Sequence, residues 1–393
     1  MEVIIKNFLQ QTPIEYWVMI WGFLLLLIIQ MYYYFRYYNK ILRYDRKKRK
    51  NKVCFTTSQP PVSVIICAQN EADNLAKYLP KVLEQKYDGG FQVIVVNDGS
   101  TDESSELLEK LSKQYDNLYA TFLPMDAKYT SRKKMCLTVA IKAAKHEHLL
   151  FLDADCEPSS DKWIAEMMNN YVNGTDIVLG YSKRETKNNF LGRLIRYDSV
   201  TNAMHFMGMA FRGDAYRGTG RNLSYKKSLF FNGKGFSNHL NLIAGEDSLF
   251  IQDVATKKNV RCETRQTATT ISHREETKKS YCFQKEDQLK AFCRYKKSVR
   301  FSIFFENFTR ILFYLAFVAL MAFMLIKQEW IMALIALHIF FFRYITQVII
   351  IRRTAKLLNE KNFFFSIPLL DFILPFISLH LLTFGRTKTR KRV

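Results

Sequence analysis

The chain has 393 residues, a formal net charge of +22, and 15% aromatic residues including 32 Phe and 21 Tyr. That length admits one globular domain of ordinary size plus further elements, and that charge asks for an anionic partner: nucleic acid, an anionic membrane surface or phosphorylated substrates. The seven cysteines (Cys54, Cys67, Cys136, Cys156, Cys262, Cys282, Cys293) form no C-x-x-C pair and no metal-ligand spacing, which argues against a disulfide framework and for a reducing compartment.

Residues Tyr16 to Phe35 are an uncharged run of 20, rich in Leu, Ile and aromatics. A helix rising 1.5 Å per residue needs about 20 such residues to cross the hydrocarbon core. The run is too long for the apolar core of a signal peptide, and Tyr32-Tyr33-Tyr34-Phe35 offers no small-residue cleavage site. It reads as a retained anchor over 16–35. A basic linker over 36–59 follows, in which Arg36, Lys40, Arg43 and the run Arg46 to Lys50 face one acid, Asp45. By the positive-inside rule this linker is cytoplasmic and residues 1–15 lie outside.

From about residue 60 the pattern becomes short apolar runs alternating with amphipathic stretches. Val62–Cys67, Gln92–Val96, Tyr119–Leu123 and Glu147–Leu152 read as strands; Asn74–Gln85, Glu103–Gln114 and Ser131–Lys145 read as helices between them. This alternation predicts an α/β domain over 60–280 with a mostly parallel sheet covered on both faces. In such sheets ligands bind beyond the carboxyl ends of the strands, where strand order reverses. Polar clusters stand at those ends: Gln69-Asn70-Glu71, then Asn97-Asp98-Gly99-Ser100-Thr101-Asp102, then Asp153-Ala154-Asp155. Two aspartates one residue apart repel each other, and a hard divalent cation carrying phosphates relieves that repulsion. An acidic turn after a strand is the plainer alternative for that pair taken alone. His273 has no second His or Cys at metal spacing and reads as an ordinary polar contact.

The ordered set Val62 to Glu71, Val95 to Asp102 and Asp153-Ala154-Asp155 resembles the nucleotide-sugar half of family 2 glycosyltransferases with a GT-A fold. The resemblance covers roughly residues 60 to 300. It implies that Asn70 and Glu71 line a nucleoside pocket, with Ser100 beside them, and that Asp98 hydrogen-bonds the base or ribose. It further implies that Asp155 binds a Mg²⁺ or Mn²⁺ bridging the donor diphosphate, while Asp153 contacts sugar or ribose. The basic run Arg132-Lys133-Lys134 opens the helix before the Asp153 strand. A helix start with cations suits a diphosphate, which makes Lys133 a donor-binding candidate, and a solvated basic face is the alternative for Arg132. Gly245-Glu246-Asp247 matches the family's acceptor-side acids, so Asp247 becomes the base that takes a proton from the attacking hydroxyl and Glu246 its positioning partner. An ordinary acid pair at a helix start is the alternative. The segment containing Gly220, Arg221 and Asn222 resembles the strip beside acceptor and donor sugar. Of the family's Q-x-x-R-W motif only Gln284 survives, in Gln284-Lys285-Glu286-Asp287-Gln288, which argues against polymer synthesis coupled to secretion.

Residues 281–307 mix aromatics and cations and read as an interfacial amphipathic segment. Spans follow at 308–326, where Arg310 is expected to snorkel to the cytoplasmic edge, and at 330–351, where Arg343 and Gln347 should face protein. The apolar stretch 363–384 contains Pro368, Asp371 and Pro375, and a full crossing would export the basic tail 385–393. A re-entrant or interfacial segment is therefore preferred to a fourth span. With so much of the charge flanking membrane segments, nucleic acid is not expected as a partner. The expectation is a multi-pass protein of the plasma (bacterial inner) membrane with a cytoplasmic catalytic domain. It would be an inverting, metal-dependent enzyme moving sugar from a nucleotide donor to a lipid-linked or membrane-proximal acceptor. A non-catalytic nucleotide-sugar-binding protein is the alternative.

Overall fold

Four apolar runs ending in polar turns build the centre of the domain. In the computed structural model, which describes residues 13–124, 131–239, 245–361, 363 and 366–384, they are β1 (Val62–Ala68), β2 (Phe91–Asn97), β3 (Leu118–Phe122) and β4 (His148–Asp153). Between them run α3 (Ala72–Leu83), α4 (Ser104–Gln114) and α5 (Arg132–Ala143). Further strands are β5 (Cys156–Pro158), β6 (Ile177–Leu179), β7 (Ser182–Arg184), β8 (Leu223–Lys226), β9 (Val260–Cys262) and β10 (Thr270–Ser272). The main sheet has the order β3-β2-β1-β4-β8-β6-β9, and only β8 runs antiparallel to its neighbours. A smaller sheet, β5-β10-β7, lies beyond β4.

The chain enters the main sheet at β1, moves outward to β2 and β3, then returns to the other side of β1 as β4. The strand order therefore reverses between β1 and β4, where Cys67 pairs with Asp153. Alternate residues of β1 serve opposite cores: Val62, Val64 and Ile66 pack with Leu75, Leu79 and Trp163, and Ile65 packs with Leu137 and Ile141. Burial on both faces explains why these strands read as continuous apolar runs instead of alternating ones.

Among the described residues three helices are long and apolar enough to cross a membrane. The first is α1 (Ile14–Tyr33), which passes through a π-helical turn, Tyr34–Tyr38, into α2 (Asn39–Arg49). The others are α11 (Lys297–Ile326) and α12 (Trp330–Leu357). Phe23, Leu27, Phe313, Met324, Met332 and Ala336 seal them together. Their outer faces expose Val18, Trp21, Ile28, Val318, Trp330 and Phe342, far more apolar surface than a water-soluble protein tolerates.

Several expectations need correction here. The basic stretch 36–59 begins as helix, because Tyr37, Tyr38 and Ile41 bury against α7 (Phe190–Ala210). Gly208 permits this contact: a Cβ there would come within 2.5 Å of the Tyr37 carbonyl oxygen. Arg310 does not snorkel. It is buried, and it pairs with Glu306 and with Asp371 at 3.2 Å. Arg343 and Gln347 do face protein, and Arg343 meets Asp371 at 2.8 Å. Asp371 lies on α13 (Ile367–Phe384), one continuous helix through Pro375. Two guanidiniums thus hold α13 against α11 and α12, so Asp371, costly in lipid, is neutralised in place. The stretch 281–307 divides into α10 (Lys278–Phe292) and the first turns of α11. Residues 1–12 and the basic tail 385–393 lie outside the described residues, as does the apolar run Leu240–Ala244.

Candidate active site

The cleft opens where β1 and β4 end. After β1, Asn70 adopts a left-handed φ of 53°, and its amide oxygen accepts the Thr101 N–H at 2.8 Å. Its own N–H donates to Ser100 Oγ at 2.9 Å. The turns after β1 and β2 are therefore tied to each other, and the Asn70 amide and Ser100 hydroxyl expected to meet a donor are engaged in that tie. Glu71 is half-buried beside Asp155 and Asp153; burial first, then Asp155, pushes its carboxyl up.

Asp98 is buried at the end of β2 and accepts from Arg132 Nε at 2.7 Å. Arg132 is thus an ion-pair partner and not a solvated basic face. Lys133, one residue on, sits 3.2 Å from Asp153 Oδ1 and 3.5 Å from Glu246 Oε1. Asp153 above all, and Glu246 after it, hold the Lys133 ammonium well above its usual range despite its burial. Burial works against the charged form of Asp153, but Lys133 and then Arg221 outweigh it and keep that carboxyl ionised. Lys134 points elsewhere, donating to the His239 carbonyl at 2.6 Å.

Glu246 and Asp247 form the first turn of α9 (Glu246–Val254), entered through Gly245 at φ 91°. The ordinary helix-start alternative holds in placement. It fails in electrostatics, since a helix N-terminus stabilises a carboxylate and Asp247 is pushed up to about 6 by burial and by Glu246. Asp247 Oδ2 accepts the Gly220 N–H at 2.8 Å. A Cβ at Gly220 would stand 2.7 Å from that oxygen, so this glycine is needed for approach to Asp247, not to a ligand. Glu246 is buried, and its Oε2 has no hydrogen-bond partner among the described residues.

Asn222 is not at the cleft surface. It is fully buried, accepting from Trp163 Nε1 at 3.1 Å and donating to the carbonyls of Tyr181 at 2.7 Å and Ala268 at 2.8 Å. All its donors and its carbonyl oxygen are engaged in joining the two sheets, which corrects the acceptor-side role expected of it. Gln284 lies on α10, where its side chain meets Arg184 and Glu276. Arg184 and the pair Asp198–Lys285, at 2.6 Å, went unseen in the sequence. The only signal for them was a lone acid in the otherwise uncharged run from Tyr197 to Ala210. His273 stacks on Tyr78 and bonds Glu157 at 2.9 Å, a structural contact.

Among the described residues no three His, Cys, Asp or Glu stand close enough to cage a metal. The cleft instead offers the hard oxygens of Asp155 and Asp153, with Glu71 near enough to feel their charge. One or two carboxylates, completed by phosphate oxygens and water, suit Mg²⁺ or Mn²⁺, so the donor set fits such an ion alongside a diphosphate.

Residues 63–230 match the family model described as glycosyl transferase family 2. The chain carries a glycosyltransferase family 2 domain. Curated relatives of this domain include glycosyltransferase AglE of Haloferax volcanii, 33% identical over 150 residues, covering 37% of this chain and 47% of that protein. The poly-beta-1,6-N-acetyl-D-glucosamine synthase of Staphylococcus aureus is 26% identical over 168 residues, covering 42% of this chain and 39% of its own length. The chain thus spans less than half the length of these relatives. A mannosyltransferase from Pyrobaculum calidifontis, solved with GDP-Man and Mn²⁺, superposes with a TM-score of 0.53 at 16% identity, covering 86% of this chain and 99% of that one. That likeness establishes the GT-A fold. The family 2 match ends before Asp247, so interest in that residue rests on geometry.

Proposed function

We propose that the protein is a membrane-embedded, inverting glycosyltransferase that moves a sugar from a nucleotide-sugar donor to a hydroxyl of a lipid-linked or membrane-proximal acceptor. The observation that carries this reading is Asp247: a carboxylate held at one oxygen by a backbone N–H and raised to about 6, at the switch point of a family 2 domain. A base works best with a pKa near the operating pH, and surface acids do not reach that value.

Asp98 and Glu71 would receive the nucleoside, and Lys133 would hold Asp153 ionised and in place beside the donor sugar. Asp155, with Asp153, would hold a Mg²⁺ or Mn²⁺, which when bound offsets charge on the leaving diphosphate. Asp247 Oδ1, opposite the oxygen engaged by Gly220, would accept the acceptor's proton as the new glycosidic bond forms and the bond to diphosphate breaks. Attack from the face opposite the leaving group inverts the anomeric centre. The unpartnered Glu246 Oε2 supports a second hydroxyl contact there, positioning the acceptor. Positive-inside charge supports a cytoplasmic cleft and a multi-pass arrangement in the plasma membrane, and α13 is read as a re-entrant or interfacial element. The test is sugar transfer from a panel of radiolabelled nucleotide sugars with membranes as acceptor. Wild type should label a lipid-extractable product, and Asp247→Ala and Asp155→Ala should not, though both fold. Full activity in either variant would overturn the assignment.

A further inference from the structure

Two chambers meet behind the cleft. The first is polar, walled by Arg184, Arg217, Arg221, Lys285 and Gln288. Arg221 makes no side-chain hydrogen bond or ion pair with the described residues, and Arg217 makes only a 3.3 Å contact to Asn202. Lys285 is answered by Asp198 and Arg184 by Glu276. Arg221 stands close enough to Arg184 that burial and this like charge together bring the Arg184 guanidinium down to about 10. Arg221 feels the Asp153 charge but has no carboxylate within ion-pair reach among the described residues, and neither has Arg217; two guanidiniums so placed in one recess suit a phosphate.

The second chamber, of about 350 Å³, adjoins the first, and Arg217, Lys285 and Gln288 line both. Its far wall is apolar: Ile303, Phe304 and Phe308 of α11 against Leu374, Leu379 and Leu382 of α13. Phe304, Phe308 and Leu379 are half exposed on the flank of the membrane helices, so the chamber faces sideways toward hydrocarbon. A soluble sugar phosphate would fill the basic recess and leave that wall in water. A neutral lipid would fill the wall and leave the guanidiniums unanswered.

We propose that these chambers are one seat for the acceptor, a long-chain lipid phosphate or diphosphate bearing the sugar to be extended. Its phosphate lies on Arg217 and Arg221 and its chain leaves between α11 and α13. This rests on the transferase reading and adds the acceptor's chemical class. Arg221 follows Gly220, whose N–H holds Asp247, so a sugar beyond the phosphate is delivered toward the base.

The test is binding to the full-length protein in phosphatidylcholine nanodiscs, read by native mass spectrometry. The probes are geranylgeranyl phosphate, the matching alcohol geranylgeraniol, and phosphatidylglycerol as competitor. The phosphate should bind more tightly than the alcohol. Arg217→Gln should weaken the phosphate roughly 10- to 100-fold, the worth of one charge-assisted hydrogen bond, without touching the alcohol. Leu379→Trp should weaken both, and binding of UDP or GDP with Mn²⁺ should persist in each variant as the check on folding. Equal binding of phosphate and alcohol, indifference to both substitutions, or displacement by phosphatidylglycerol at equal mole fraction would overturn the proposal. Selective binding without any sugar transfer would keep the lipid seat and remove the transferase reading.

Discussion

Asp247 is expected to weaken the fold that it serves. Its carboxyl titrates near 6 against an ordinary 3.8, so the native state binds a proton that the unfolded chain releases more readily. Below about pH 4 both states are protonated and nothing is lost. As pH rises from about 4 to about 6 the native state loses stability relative to the unfolded one, and above 6 the loss is complete. Two units at about 1.36 kcal/mol each set a ceiling near 3 kcal/mol, and the residue's partial exposure brings the expected value to roughly 1–2 kcal/mol. Asp247→Asn keeps an oxygen for the Gly220 N–H and removes the charge. It should therefore raise the apparent melting temperature at pH 7.5, with the difference shrinking to nothing by about pH 4, while transfer falls by roughly 10²- to 10⁴-fold. The assay is thermal unfolding of both proteins in one detergent across that pH range. A variant less stable than wild type at neutral pH, or a difference independent of pH, would refute the account of why Asp247 is basic. The same protonation predicts that transfer by wild type falls about tenfold per unit below pH 6.

Asp155→Asn should raise the Mn²⁺ concentration needed for half-maximal donor binding at least tenfold, measured by calorimetry with UDP or GDP, and leave folding unchanged. Asn222→Ala strands Trp163 Nε1 and the Ala268 carbonyl and leaves the Tyr181 carbonyl only the Thr270 N–H at 3.3 Å; it should cost about 3 kcal/mol, seen as a lower melting temperature with nucleotide affinity preserved in what remains folded. Asp371→Leu leaves Arg310 and Arg343 without their shared carboxylate. It should cost about 3–5 kcal/mol, and protease protection of α13 should be lost before that of α11 and α12.

Much of this protein is readable without coordinates. Apolar run length marks the membrane helices, and alternating periods mark the four central strands with the helices between them. Acids at three strand ends mark the cleft, because each of these is a local property of the chain. What the sequence could not decide is how distant polar groups share partners. Asn70 and Ser100 bind each other across two turns, Asn222 braces two sheets, and Arg310 turns inward to Asp371, 61 positions away. An unpaired cation and a paired one look identical as letters. Only the fold sets Arg132 on Asp98 while leaving Arg221 open, since that depends on which carboxylate packing brings within hydrogen-bond reach. The value of Asp247 as a base is likewise tertiary, created by burial beside Glu246 and not by its place at the start of a helix.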